Sequence, residues 1–482
     1  MIDARPVGYV IGLLVAILGV TMLLPMGLDY LDGNSNWLAF LESAFVTTLA
    51  GALIALACAN AAGHGLSIQQ SFLLTTGLWV VLPLFGALPF LIGAPDVDLT
   101  DAYFEAMSGL TTTGSSVFTG LDALPRGTNL WRGILQWLGG LGIVIVAMVF
   151  LPVMKVGGMQ YFRSEGFDTL GKILPRALDI SAALIRIYLV LTVACIVAYS
   201  VTGMTGYDAT VHALTTVSTG GFSTSDMSFG KYAGPAEYVA VFFMLAASLP
   251  FVRYIQITAG SAKSLFEDVQ VRAYLRWACY AVAAVAAYRM IRYETPFWDA
   301  LRGAAFNVVS IFSGTGYMSE DVTAWGPFPL VVLILVGIIG GCTASTSCSI
   351  KVFRYLVLVE AIKLQIRRIY SPSRVGPMKL GGRILAEDVV SSVIVLFTMF
   401  ILTFGVVSVM LVITGLQTGT AITAAWTSVF NVGPAFGGEV GPTGAMDRFP
   451  GTAKWIMALA MLLGRLELLS VLVILLPRFW RG

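Results

Sequence analysis

Four short turns in this chain share one composition: LTTTGSS (110–116), TVSTGGF (216–222), FSGTGYM (312–318) and FNVGPAF (430–436). Each sets small or β-branched, uncharged residues ahead of a glycine. A cation stripped of water needs replacement oxygen ligands, and rings of backbone carbonyls can supply them. Aiming successive carbonyls one way forces some residues to φ > 0, which glycine adopts without strain. On this reading the ligands are the carbonyls of Thr112 and Thr113, Ser218 and Thr219, Gly314 and Thr315, and Asn431 and Val432. The turning glycines are Gly114, Gly220, Gly316 and Gly433. No carboxylate lies inside the turns, which argues against a calcium-type acidic ring. One such turn is a weak signal, but these glycines recur at separations of 106, 96 and 117 residues.

The elements that must position the turns follow from length. Each glycine comes 12 to 17 residues after Asp101, Asp208, Asp299 or Thr420, residue types that cap helix N-termini. Twelve helical residues reach only about 18 Å, short of the roughly 30 Å hydrocarbon core. Each segment is therefore expected to enter the membrane, stop partway and return extended. Such backbone is tolerated at membrane depth only inside protein or against water. Four re-entrant loops imply a central pore with approximate fourfold symmetry.

Composition agrees. Of 482 residues 57% are hydrophobic and 12% charged, about half the charged share of a soluble domain. Ten spans are expected near 7–28, 39–61, 70–94, 130–154, 180–203, 236–258, 272–292, 328–368, 388–415 and 452–477. The first run is too long for a signal-peptide core. The fold class is thus an all-α integral membrane protein: about ten spanning helices and four re-entrant pore helices, in four helix–pore loop–helix repeats arranged pseudo-fourfold. The expected units are 1–66 (two N-terminal spans), then 67–160, 161–262, 263–375 and 376–482 (the repeats). With a cytoplasmic N-terminus, 20 basic residues fall on inner loops and eight on the outer side, so both termini are expected to be cytoplasmic. A net charge of +2 gives no reason to expect a nucleic-acid partner; the partner expected throughout is membrane lipid.

The motifs FEAMSGLTTTG (104–114), WLGGLGIVIVAMVFLPVMKVGGMQYFRSE (137–165), PFWDALRGAAFNVVSIFSGTGY (296–317), GIIGGC with IKVFR (337–342 and 350–354), NVGPAFGGEVGPTG (431–444) and LGRLELL (463–469) resemble the TrkH-type membrane subunits of the Trk/Ktr/HKT superfamily of potassium transporters. The resemblance implies potassium uptake across a bacterial inner membrane, a homodimer and a cytoplasmic nucleotide-binding regulatory ring of the TrkA type. It also implies that the second helix of the third repeat breaks into a gate loop beneath the filter. The matching stretch is GGCTASTSCS (340–349), with Gly340, Gly341, Thr343, Ser345, Thr346 and Ser347 as gate residues. Ser and Cys stand there where the family usually has further glycines, which implies a stiffer gate.

Arg465 falls mid-span, where a basic residue costs at least about 2.5–3.5 kcal/mol without water or a partner. It is read as a pore-facing charge holding the gate loop, against the alternative of a buried ion pair. Glu105, Arg302 and Asn307 are expected to tie pore helices to their neighbours. His64 and His212 form no metal-binding pattern, the five cysteines read as core residues, and no cofactor is expected besides potassium as substrate. The eight basic residues from Lys351 to Arg383 fit either the inner-loop charge bias or a partner-docking surface. Proton- or sodium-coupled potassium symport stays open. A membrane enzyme lacks a constellation of acids, bases or metal ligands, and four parallel repeats disfavour an inverted-repeat solute transporter.

Overall fold

The computed structural model describes residues 3–61, 66–149, 177–261, 263–371 and 378–480. His64, the inner-loop cations Lys155, Arg163, Lys172, Arg176 and Arg374, and Arg481 lie outside them. The described residues are mostly helical, with a single hairpin of two-residue strands pairing Lys379–Leu380 with Arg383–Ile384. A helix or helix pair occupies each of the ten predicted span positions.

Among the described residues six helical spans are long and apolar enough to cross a bilayer: Arg5–Leu31, Trp37–Ala57, Ile68–Ile92, Arg126–Ala147, Asp179–Val201 and Glu387–Ile413. Three expected spans are instead broken. Pro235–Ala247 and Phe251–Thr258 meet at 89°, and Gly451–Arg465 and Leu469–Leu475 at 105°. The third separates Pro327–Ile338 from Val352–Tyr370. Only this last break was expected. At 248–250 the cause is Pro250, which lacks the amide a continuing helix needs. In the last span Glu467 and Leu468 take φ of 60° and 47°, which turns the chain just after Arg465. Arg465 therefore lies at the break within this span, as the last residue of its first helix.

Four short helices lie between the spans: Leu99–Leu110, Gly206–Val217, Phe297–Ser313 and Thr418–Phe430, of 12, 12, 17 and 13 residues. We call them pore helices 1 to 4. The caps are not the predicted ones. Asp98 and Thr205 accept the N3 amides of pore helices 1 and 2, while Pro296 and Gln417 precede pore helices 3 and 4 without side-chain caps. Asp101, Asp208, Asp299 and Thr420 all occupy N3. An acidic or hydroxyl residue suits both positions, because orphan amides and the positive helix end extend over the whole first turn.

The N-terminal pair, Arg5–Thr21 and Trp37–Ala57, crosses through glycines. A Cβ on Gly51 would lie 2.3 Å from the Ala16 amide nitrogen, and one on Gly12 2.5 Å from that of Ala55. Small residues permit this backbone approach where lipid offers no hydrophobic drive between helices. Asp29 anchors the pair to the first repeat: it accepts the Gly127 amide at 2.6 Å and the Asn36 side chain at 2.8 Å. We predict that Gly51→Leu destabilises the protein by at least about 1–3 kcal/mol. Thermal unfolding in detergent should show the loss. Ion preference should be unchanged, because the four turns are built from residue 98 onward.

Candidate functional site

Each pore helix runs into its turn by the same backbone device. The amides of Thr113, Gly220, Thr315 and Val432 reach back to the carbonyls of Ser108, Thr215, Ser310 and Thr427 at 2.8 to 3.1 Å. The residue before each is left-handed: Thr112, Thr219, Gly314 and Asn431, with φ from 52° to 78°. The residue after each is a left-handed glycine: Gly114, Gly221, Gly316 and Gly433, with φ from 79° to 106°. This superposition corrects the second repeat. Gly221 holds the turning position and Gly220 corresponds to Thr113, so the predicted pair Ser218 and Thr219 sits one residue early.

The four turns close into a ring. A Cβ on Gly114 would lie 2.2 Å from the Gly220 oxygen, on Gly221 1.9 Å from that of Thr315, on Gly316 2.1 Å from that of Val432, and on Gly433 3.0 Å from that of Thr113. Each turn thus abuts the carbonyl of the next, in chain order, back to the first. Thr113, Thr315 and Val432 are fully buried. Among the described residues their backbone carbonyl oxygens accept no hydrogen bond, whereas buried carbonyls are ordinarily paired. Three orphan oxygens converging in one ring have the donor chemistry of a dehydrated-cation site.

A polar residue on each pore helix holds the returning strand. Glu105, with no exposed surface, accepts Val117 N at 2.9 Å and Ser116 Oγ at 2.9 Å, and pairs with Arg132 Nε at 2.8 Å. Arg132 continues to the Ser223 carbonyl at 2.9 Å, joining repeats 1 and 2. His212 meets Ser223 Oγ at 3.1 Å, Asn307 accepts Ser319 N at 3.2 Å, and Thr423 Oγ1 accepts Phe436 N at 3.0 Å. Arg302 pairs with Glu237 at 3.3 Å, outside the turns.

On one side the ring opens into a cavity of about 580 Å³ whose lining includes Gly114, Gly221, Gly316 and Gly433 together with Asp226, Glu320 and Asp321. Beside it, partial burial works against ionisation of Asp122. Hydrogen bonds from Ser225, Lys231 and the Asp226 amide outweigh that and hold its pKa below the ordinary carboxylate value.

On the other side lies the loop between the two helices of the third break. Ser347 Oγ donates to the Ser313 carbonyl at 2.5 Å, and Ser349 Oγ to that of Phe430 at 2.8 Å. Cys348 Sγ approaches Thr112 Oγ1 at 3.4 Å. The loop therefore touches the C-terminal ends of pore helices 1, 3 and 4, where the helix dipoles are negative. Cys342 N and Thr346 N take the carbonyls of Ser248 and Ala247 at 2.9 and 3.3 Å, and Phe251 N takes that of Ala344 at 2.9 Å. The breaks of the second and third repeats thus satisfy each other. Thr343 N meets Gln270 Oε1 at 3.1 Å, Ser345 Oγ the Cys342 carbonyl at 2.6 Å, and Gly340 N the Ile350 carbonyl at 2.9 Å. Gly341 N is held by Ser347 Oγ at 2.9 Å.

Arg465 is buried against this loop. Its Nη1 lies 3.3 Å from the Thr346 carbonyl and 2.5 Å from Cys348 Sγ, and its Nη2 3.3 Å from the Gly139 carbonyl. Among the described residues it has no carboxylate partner. Glu467 pairs instead with Arg354 at 2.5 Å. The structure also brings to the ring a residue that the sequence reading passed over, Gln136. A lone amide inside the uncharged run 133–154 was the available signal.

Four re-entrant helices delivering buried carbonyls to one ring define a pore-loop membrane transport protein. A model of the TrkH family, described as cation transport protein, matches residues 38–480, and the chain belongs to that family. It is 38% identical over 478 residues to the Trk system potassium uptake protein TrkI of Halomonas elongata, covering 99% of this chain and 97% of that one. It is 36% identical to the Trk system potassium uptake protein TrkH of Vibrio parahaemolyticus, covering 99% of each. The crystal structure of the potassium transporter TrkH from Vibrio parahaemolyticus superposes with a TM-score of 0.91 at 33% identity, covering 99% of this chain and 100% of that one.

Breaking a buried ion pair strands one charge, at a cost of about 3–5 kcal/mol. We predict a loss of that size for Glu105→Ala, read as a lower unfolding temperature in detergent, with Arg132 left to Ser116 Oγ, Asn129 Oδ1 and the Ser223 carbonyl.

Proposed function

We propose that this chain is the potassium-translocating membrane subunit of a bacterial uptake system, with its filter at the four-turn ring and its gate at the loop 339–351. The three buried carbonyls without donors carry the reading. A cation offers what they lack, and uncharged oxygens suit a monovalent ion that must also leave. The names of the relatives supply potassium as the ion.

In this mechanism the rim carboxylates concentrate cations in the cavity, the ring replaces their water, and the pore-helix C-termini favour positive charge just beyond. The loop 339–351 then bars the path, held by Arg465, whose charge repels the ion. Conduction requires the loop to leave Ser313 and Phe430. The cavity is the outer vestibule and both termini are cytoplasmic, in keeping with the basic inner loops. A regulatory subunit of the TrkA type docks on the cytoplasmic side, where the basic segment 351–383 lies, and the working unit is a homodimer. The units 67–160, 161–262, 263–375 and 376–482 each supply one quadrant.

Gly316→Ser should displace the Val432 oxygen, 2.1 Å from the new Cβ. We expect potassium affinity to fall at least about tenfold, equivalent to about 1.4 kcal/mol, with normal membrane insertion. Uptake by a potassium-deficient strain measures it, and unchanged kinetics would sink the filter assignment. Arg465→Ala should release the loop and remove the barrier charge. Basal flux in proteoliposomes without a partner should rise about fivefold or more, the size of a modest coupling energy. A folded variant with wild-type basal flux would place the gate elsewhere.

A further inference from the structure

The ring is fourfold in backbone but not in chemistry. At the position before the turning glycine, repeats 1, 3 and 4 carry Thr113, Thr315 and Val432, whereas repeat 2 carries Gly220. The missing side chain has a replacement from another element. Gln136, fully buried on the helix Arg126–Val149, lays its amide where a Cβ on Gly220 would sit, with Cδ 2.3 Å and Nε2 2.8 Å from that point. Its Oε1 accepts Phe222 N at 3.0 Å and its Nε2 donates to the Gly220 carbonyl at 2.6 Å. The Phe222 amide can only donate and therefore fixes the orientation of the side chain. One amide thus clamps the backbone on both sides of Gly221.

We propose that Gln136 is a positioning residue that sets ion preference, acting through the Gly220 carbonyl. This rests on the ring being the filter. Three of the ring oxygens are free for the ion, while the fourth shares its lone pairs with an N–H. That donor lowers the negative potential of the ring on one side. A smaller cation approaches its ligands more closely and gains more from a strong field, by the inverse dependence of Coulomb energy on distance. Holding the field down therefore disfavours sodium relative to potassium. The clamp also keeps the second turn from closing on a smaller ion.

The test uses the full-length protein in proteoliposomes, with bi-ionic potassium/sodium reversal potentials as the readout. Gln136→Met keeps the length of the side chain and removes both hydrogen bonds. The potassium-to-sodium ratio should fall about two- to tenfold, the range of one net hydrogen bond. Gly220→Thr alone should lower the unfolding temperature in detergent, because its Cβ would lie 2.3 Å from Gln136 Cδ and push that amide off both hydrogen bonds. Gly220→Thr with Gln136→Ala should recover stability, since it rebuilds the pattern of repeats 1 and 3. That double variant should show the same fall in ratio, because its carbonyl is again free. A double variant no more stable than Gly220→Thr alone overturns the space-filling argument. Folded Gln136→Met and double variants with the wild-type ratio overturn the role in preference. Gly316→Ser, whose Cβ would meet the Val432 carbonyl and not Gln136, separates the two failures. If it alters the ratio while the Gln136 variants do not, the filter stands and this inference falls; if none does, both fall.

Discussion

An amide or carbonyl left unpaired inside hydrocarbon costs several kcal/mol, and this chain places non-helical backbone at membrane depth in two layers. In the lower layer the debt is cancelled locally. The break at 248–250 offers carbonyls to the amides of the loop 339–351, the loop returns the Ala344 carbonyl to Phe251, and serine hydroxyls fill the gaps. In the upper layer three carbonyls are left open. On the proposed function one rule therefore produces both parts of the pore: where the backbone pairs with itself the path is blocked, and where it does not, an ion would complete it.

The supports of the upper layer show how little of a fourfold arrangement depends on repeated chemistry. A carboxylate, an imidazole, an amide and a hydroxyl each hold one returning strand, the first three at the same distance from their turning glycine and Thr423 one residue further back. What must recur is the donor or acceptor at that point and the left-handed pair of residues that turns the chain. Family membership, matched from residue 38 to 480, is consistent with constraints spread over the whole pore rather than gathered in one motif.

Much of this was legible before any coordinates. The four turns, the short helices before them and the ten span positions follow from glycine spacing, length and hydropathy, because bilayer thickness converts residue counts into topology. The misses share a cause: hydropathy reports solvent and is silent about φ. The breaks at 248–250 and 466–468 fall in runs as apolar as their neighbours, so the spans read as continuous, although Pro250 was a visible warning. The helix starts were read three residues late because residues suited to N-cap and N3 are the same types. In TVSTGGF two adjacent glycines compete for one role. The backbone bond from Gly220 to Thr215, five residues back, and the left-handed φ of Gly221 assign the turn to Gly221. Gln136 lies 84 residues before Gly220, and no local pattern joins them.

The contacts of the ring run in chain order, each turn leaning on the next and the fourth on the first. In an assembly of four identical subunits any substitution in the filter appears four times at once, so a change that suits one quadrant is imposed on all. Here each quadrant has its own codons. The second turn can surrender a side chain and borrow an amide from a different helix while the other three stay as they are. On the proposed function, mutation can therefore alter the filter one quarter at a time, and the unlike second turn is a change confined to one quarter.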